Sequence, residues 1–300
     1  MSAVVVVPIV PAIDLKRVLF TTDFTDASQR ALPILAAIAR RYGSKVFAAH
    51  VWTPGPYSMV PSEVIAVLDR QSERAAKIEL EQLSQAHVLD GIEVEPLVRR
   101  GRPAEEIGRL ADQHNVSLAV MSTHGRTGFK HRVLGSVAEE VIRTLRCPVL
   151  TVGPRLAARF SQLKTIANIL FPTDFSAESR AVFPYLASLA HEYQSRLTIL
   201  HVLSPETAGG PDREALAKRL CENMKKALEK EISPRCCADF VVDAGDPAET
   251  ILAHARSIDA DLIGLGVRGW TDIAKHFRET VAYRILAEAE CPVLTHHSAN

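Results

Sequence analysis

Cysteine is scarce in this chain: there are five in 300 residues, and no two stand in a CxxC spacing. That excludes a disulfide framework and a small zinc module. An excess of one charge sign is missing as well, with 35 Lys and Arg against 35 Asp and Glu and no long basic run. A general nucleic-acid binder carries a basic surplus, so none is expected here. Long hydrophobic runs are also lacking. The longest, Val4–Ile13, contains two prolines and falls well short of the ~20 residues a membrane helix needs. It has neither a basic leader nor a small-residue cleavage site, so it does not read as a signal peptide. The expectation is a soluble, cytoplasmic chain with no nucleic-acid or membrane partner. What is present is apolar content, 47% of the residues, enough for one large core or two ordinary ones.

The order of those residues points to two cores. RVLFTTDFTDASQRALPILAAIARRYGSKVFAAHV, Arg17–Val51, aligns without a gap on NILFPTDFSAESRAVFPYLASLAHEYQSRLTILHV, Asn168–Val202, 151 residues further on. RRGRPAEEI at Arg99–Ile107 matches DAGDPAETI at Asp243–Ile251, and CPVL recurs at Cys147 and Cys291, now 144 residues apart. The offset shrinks in a helix-plus-loop region, where length is cheap to vary. A repeat of this size is a whole domain. The expected division is residues 15–153, a linker at 154–164, and 165–297.

Within a copy, short apolar runs alternate with stretches of helical period. The first copy predicts strands at Val18–Thr21, Lys45–His50, Val94–Val98, Leu118–Met121 and Val149–Val152. Helices are predicted at Asp26–Tyr42, Ser62–His87, Pro103–His114 and Ser136–Leu145. Alternating β and α elements with continuously apolar strands imply a parallel sheet covered on both faces. Each copy is therefore read as an α/β domain, Rossmann-like and doubly wound, with five parallel strands flanked by helices. Such folds bind ligands beyond the carboxyl ends of the strands, where the winding reverses.

Those ends hold the candidate residues. Asp23 follows the first strand and is placed either to accept from a ligand or to cap the next helix. His50 and His201 close equivalent second strands, where a satisfied core histidine is expected. After the fourth strand comes STHGRTGFKHRVLGS, Ser122–Ser136. Gly125 and Gly128 permit a tight turn of backbone amides around an anion. Gly135-Ser136 then opens a helix whose free N–H groups and dipole attract phosphate. His124, Arg126, Lys130, His131 and Arg132 add positive potential. Cys147 and Cys291 read as packed small apolar residues, and the adjacent Cys236 and Cys237 as surface or half-buried thiols.

The TDF[ST] start, the HV after the second strand, the G[RD]PAE segment and the glycine loop closed by CPVL resemble the universal stress protein family. The resemblance covers nearly the whole chain as two tandem copies. It implies Rossmann-like domains that dimerise through their last strands, and, in the ATP-binding subset, a G-x2-G-x9-G-[ST] motif. Copy one reads Ser122-x2-Gly125-x9-Gly135-Ser136, with only the first glycine replaced. By the same resemblance Thr22, Asp23 and Val51 border adenine, Met121 lies beneath it, and His124 stands near the phosphates. Arg126, Gly128 and Val137 complete the implied set. ATP, with Mg or Mn, is thus expected in the first domain.

Copy two reads Gly266-x2-Gly269-x9-Glu279-Thr280, with Trp270 and Asp272 in place of Arg126 and Gly128. A carboxylate beside phosphate costs about 4 kcal/mol per charge pair at ~4 Å and an effective dielectric of about 20. No ATP is expected there, although Pro172, Thr173, Asp174 and Val202 remain on the adenine side. Efficient hydrolysis is not expected in either copy. There is no Walker-type lysine, and Asp23 and His124 are the only base candidates. The function implied is a nucleotide-dependent regulatory or interaction module of the stress response, and the alternative is a nucleotide-independent scaffold with a vestigial pocket. The last strands, rich in β-branched residues, invite pairing. They would pair within the chain, and the same edge admits a homodimer.

Overall fold

The computed structural model of the chain describes residues 13–54, 62–123, 134–204, 213–228, 231–232, 236–268 and 280–297. The chain divides into two compact units, Asp14–Lys164 and Thr165–Asn300. The first unit runs β1 (Arg17–Thr21), α1 (Asp26–Gln29), α2 (Leu32–Tyr42), β2 (Lys45–Trp52), α3 (Ser62–Ser84), β3 (Glu93–Arg100), α4 (Pro103–Gln113), β4 (Leu118–Ser122), α5 (Ser136–Thr144) and β5 (Val149–Val152). Its strands pair in parallel in the order β3-β2-β1-β4-β5. Because β1 has β2 on one side and β4 on the other, the crossovers leave β1 in opposite directions. The gap between the β1 and β4 exits is the switch point of the winding.

The second unit repeats the plan with β6 (Asn168–Pro172), α6 (Ala177–Tyr193), β7 (Arg196–Leu203), α7 (Arg213–Leu228), β8 (Cys237–Ala244), α8 (Pro247–Ser257), β9 (Leu262–Gly266), α9 (Val281–Glu288) and β10 (Val293–His296). Its parallel order is β8-β7-β6-β9-β10. The strands that the sequence reads as continuous apolar runs are buried on both faces: Val18, Leu19 and Phe20 of β1 and Leu118, Ala119 and Val120 of β4 are at most 1% exposed. Helix α2 turns Ile34, Leu35, Ile38 and Ala39 inward and ends at Gly43, whose φ of 60° is the left-handed cap glycine favours. At Gly101 and Gly245, which occupy equivalent positions, φ is 153° and 151°, and an added Cβ would press on Glu106 or Thr250 in the next helix. Their G[RD]PAE context is thus a backbone requirement.

Two details differ from the expected elements. The single helix predicted over Asp26–Tyr42 is broken at Arg30–Ala31, and Pro33 opens its second half. Proline lacks the N–H for the turn before it and its ring crowds the carbonyl four residues back. In the second unit the matching Pro184 sits inside an uninterrupted α6. The segment expected to be a linker is partly docked. It forms a short 3-10 turn, Ala158–Gln162, and buries Phe160 to 1% exposure in the first unit. Cys291 is buried, and burial pushes the Cys147 thiol up to about 11, so it stays protonated. Cys237 is exposed and Cys236 half-buried.

The unbroken α6 lies close against β9. A Cβ placed on Gly264 would lie 2.2 Å from the Leu186 side chain, and one on Gly266 would lie 2.2 Å from the backbone of Glu178. The matching positions of β4 carry Val120 and Ser122. Gly266→Ala should therefore destabilise the second unit by roughly 1–3 kcal/mol through overpacking against backbone that cannot yield. Ser122→Ala should change the first unit by well under that. Urea unfolding of both variants, followed by proteolysis to assign each transition to its unit, checks the contrast. Equal shifts would refute it.

Candidate functional site

Where β1 ends, the chain makes a tight and fully bonded turn. His50 Nδ1 lies 2.8 Å from the carbonyl of Thr22, and because that oxygen only accepts, the ring nitrogen donates. The Thr22 hydroxyl accepts from the Phe24 N–H at 2.9 Å and shares a hydrogen bond with Ser28 Oγ, also at 2.9 Å. Asp23 Oδ1 accepts from the N–H and the hydroxyl of Thr25, at 3.1 and 2.6 Å. Thr25 is the residue that caps α1. Asp23 therefore serves the cap at one remove and does not itself cap the helix, while its Oδ2 makes no hydrogen bond among the described residues. Phe24 adopts φ 64° and stacks on the His50 ring with centroids 4.4 Å apart. A bulky residue in that region costs of the order of 1–3 kcal/mol. Net hydrogen bonds of about 0.5–1.5 kcal/mol each offset it.

The second unit carries the same turn atom for atom. His201 Nδ1 meets the Thr173 carbonyl at 2.8 Å, Phe175 has φ 63°, and Asp174 accepts from the N–H and hydroxyl of Ser176. Burial works to raise the Asp174 carboxyl, but the hydrogen bonds from Ser176 outweigh it and hold it below the usual carboxylate range.

In the first unit this turn forms one wall of a cavity of about 260 Å³. Thr22, Asp23, Val51, Met121, Ser122, Gly135, Ser136 and Val137 all line it. Met121, 5% exposed, forms part of an apolar floor with Ala49 and Ile107. His124, Gly125, Arg126 and Gly128 lie outside the described residues, as do Lys130, His131 and Arg132. Sequence reasoning missed Pro103 and Ile107, which α4 brings to the cavity. The signal available was their place just after the strand end at Arg100. It also missed the role of His50 in fixing the Thr22 carbonyl.

The opposite wall is the start of α5. Gly135 is its N-cap, has no side chain to bond the first turn, and donates its N–H to the Thr123 carbonyl at 2.8 Å. A Cβ at Gly135 would stand 3.0 Å from that same oxygen, so glycine suits both the close approach and the open helix end. The uncapped first-turn N–H groups and the helix dipole make an anion-receptive edge beside an apolar cavity. The second unit ends its loop differently. Thr280 caps α9 with its own hydroxyl, which accepts from the Tyr283 N–H at 3.2 Å. Gly269, Trp270, Asp272 and Glu279 lie outside the described residues.

Among the described residues no cluster of three His, Cys, Asp or Glu side chains could hold a metal ion, and no helix is long and apolar enough to cross a membrane. If the His50 bond fixes the β1 turn, His50→Leu leaves the buried Thr22 carbonyl without its donor. It should destabilise the first unit by about 1–3 kcal/mol, visible as a lower midpoint in thermal unfolding. An unchanged midpoint would show the turn to be held by other contacts.

Comparison with known proteins places this architecture. A family model described as the universal stress protein family matches residues 14–153 and again 165–297. A universal stress protein from Methanocaldococcus jannaschii is 31% identical over 141 residues, 46% of this chain and 81% of that relative. One from Thermus aquaticus is 32% identical over 138 residues, 46% of this chain and 98% of the relative. The crystal structure of a universal stress protein from Archaeoglobus fulgidus superposes with a TM-score of 0.70 at 21% identity, covering 95% of this chain and 99% of its own. At that identity the likeness concerns the fold. With both halves matched separately, the chain belongs to the universal stress protein family and carries two of its domains in tandem.

Proposed function

We propose that the first domain binds an adenine nucleotide, ATP with Mg or Mn, and that occupancy of this site makes the chain a nucleotide-dependent regulatory or interaction module of a cytoplasmic stress response. The observation that carries the reading is the pairing of two walls across one cavity. On one side is the bonded turn of Thr22 and Asp23, and on the other the uncapped start of α5 at Gly135 and Ser136. The apolar stretch between them, with Ala49, Val51, Ile107 and Met121, suits a flat base. Asp23 Oδ2 would accept from its amine or from a ribose hydroxyl. The phosphates would extend to the first-turn N–H groups of Ser136 and Val137; His124, Gly125, Arg126 and Gly128 of the motif lie outside the described residues.

Asp23 is the one carboxylate among the described lining residues. A divalent ion would therefore come on the phosphates, neutralising part of their charge. Asp23 is bonded to Thr25 through Oδ1, so among the described lining residues the one carboxylate is already engaged on one oxygen, which supports slow turnover at most. In the second domain the self-capped start of α9 and Glu279 in the sequence both work against a triphosphate. We further infer that Val149–Val152 and Val293–His296, the outermost strands of their own sheets, pair within the chain or between two chains.

The competing reading, a scaffold with a vestigial pocket, is favoured by Ser122, which stands where the ATP-binding pattern has glycine. Calorimetric titration of ATP and Mg²⁺ into the intact chain separates the two. The expected result is saturation near one site per chain, lost in Gly135→Glu, where a carboxylate would meet the phosphates at a cost of about 4 kcal/mol per charge pair. No binding to the unaltered chain would leave the scaffold reading standing. Two sites per chain would overturn the inactive second domain.

A further inference from the structure

The second unit has a cavity of its own, away from its loop and helix start. It measures about 550 Å³ and lies between the end of β6, the first turns of α6 and the end of α7. Three phenylalanines form its body. Phe171 and Phe183 are each 1% exposed and pack with ring centroids 5.1 Å apart. Phe175 stands at the mouth, 39% exposed, held in its left-handed conformation by the Thr173 and Asp174 turn. Such a volume falls in the range of small-molecule sites, where apolar walls carry the energy and a few polar groups fix orientation.

The polar groups here are Arg180 and Glu231. Arg180 is exposed at the rim, and neither it nor Glu231 forms an ion pair among the described residues. Both are thus available to a ligand, and they demand opposite charges from it. A guanidinium presents a planar fork that matches a carboxylate. One cation suits a single negative charge, and Glu231 in the wall repels a second. Among the described lining residues one cation stands against one anion, a balance that favours a flat ring with one carboxylate over a phosphorylated ligand. Aromatic rings favour offset or edge-on contact with the phenylalanines.

The feature belongs to the second unit alone. At the matching positions of the first unit Phe20, Thr22 and Phe24 recur, but Gln29 replaces Arg180 and Leu32 replaces Phe183. Arg30, one residue on, is occupied with the Pro154 carbonyl at 3.3 Å. We propose that the second domain binds a small aromatic monocarboxylate in this cavity, with its ring on Phe175, over the buried Phe171 and Phe183 pair, and its carboxylate on Arg180. The site is independent of the nucleotide cleft of the first domain.

The test is calorimetric titration of the full chain with indole-3-acetate, and with tryptamine as a cation of the same body. Indole-3-acetate should saturate one site per chain and tryptamine should not. Arg180→Gln should weaken the anion about tenfold or more, the usual worth of a charge-assisted hydrogen bond. Arg180 is exposed, so the melting curve of Arg180→Gln should stay unchanged, whereas Phe175→Ala should weaken binding and also loosen the turn it shares with His201. Gly135→Glu should leave this binding intact, which keeps it separate from the nucleotide reading. Absence of saturable heat at millimolar concentrations, equal binding of tryptamine, or an unaffected Arg180→Gln would each overturn the proposal.

Discussion

The hydrogen bond from His50 to the carbonyl of Thr22 fixes the point from which the first site is built. The residues after β1 must turn sharply to enter α1, and they do so with a phenylalanine in a conformation that bulky side chains avoid. Left alone, that conformation would relax and move Asp23. It persists because four groups of the turn are bonded at once: the Thr22 carbonyl, the Thr22 hydroxyl, the Phe24 N–H and the Thr25 N–H. The stacked pair of Phe24 and His50 also shields the bonds from water. Low local dielectric strengthens each of them. The position of Asp23 in the cavity is therefore set by a histidine on the neighbouring strand, which has no need to touch a ligand.

Both domains keep this turn, so their differences arise elsewhere, and they arise in two places. The first is the partner strand at the switch point. Gly264 and Gly266 in β9, where β4 carries Val120 and Ser122, let α6 lie close against the strand. In the second domain α6 packs against β9 over its early turns, with Glu178 and Ser179 directly over Gly266. The second place is the helix start after the glycine loop. An N-cap without a side chain leaves α5 open to an external acceptor, while the hydroxyl of Thr280 satisfies α9 from within. The glycine at 266 thus has a packing reason of its own, and the motif glycine that copy two retains is no sign of a phosphate site.

Much of the architecture was legible in the sequence. The strands read correctly because buried parallel strands are continuous apolar runs, and the repeat fixed where equivalent elements begin. The cavity walls at Thr22, Asp23, Met121, Gly135 and Ser136 were legible for the same reason: in a doubly wound sheet they stand at known strand and helix ends. What escaped depends on contacts between segments far apart in the chain. The break at Arg30–Ala31 could not be told from the unbroken α6, because both stretches carry the same proline at matching positions, Pro33 and Pro184. The docking of Phe160 is invisible in a segment with no periodicity. Phe24 and Phe175 gave no hint of positive φ, since residue type argues against it and only the surrounding hydrogen bonds impose it.

The charges around the two cavities follow from these geometries. A helix start with unsatisfied N–H groups attracts a spread of negative charge, and several phosphate oxygens fit that edge better than a single carboxylate does. In the proposed second site one guanidinium and one carboxylate line the same cavity, a balance that favours a singly charged ligand. The cation of the second site sits on the first turns of α6, so its placement depends on that helix lying down against Gly264 and Gly266. Substituting bulk into β9 would lift the helix and carry Arg180 away from Phe171, while leaving the β6 turn in place. The packing of one strand face thus couples directly to the charge pattern of the neighbouring cavity. In the first domain the same turn lines a different cavity, with Met121, Gly135 and Ser136 across from it.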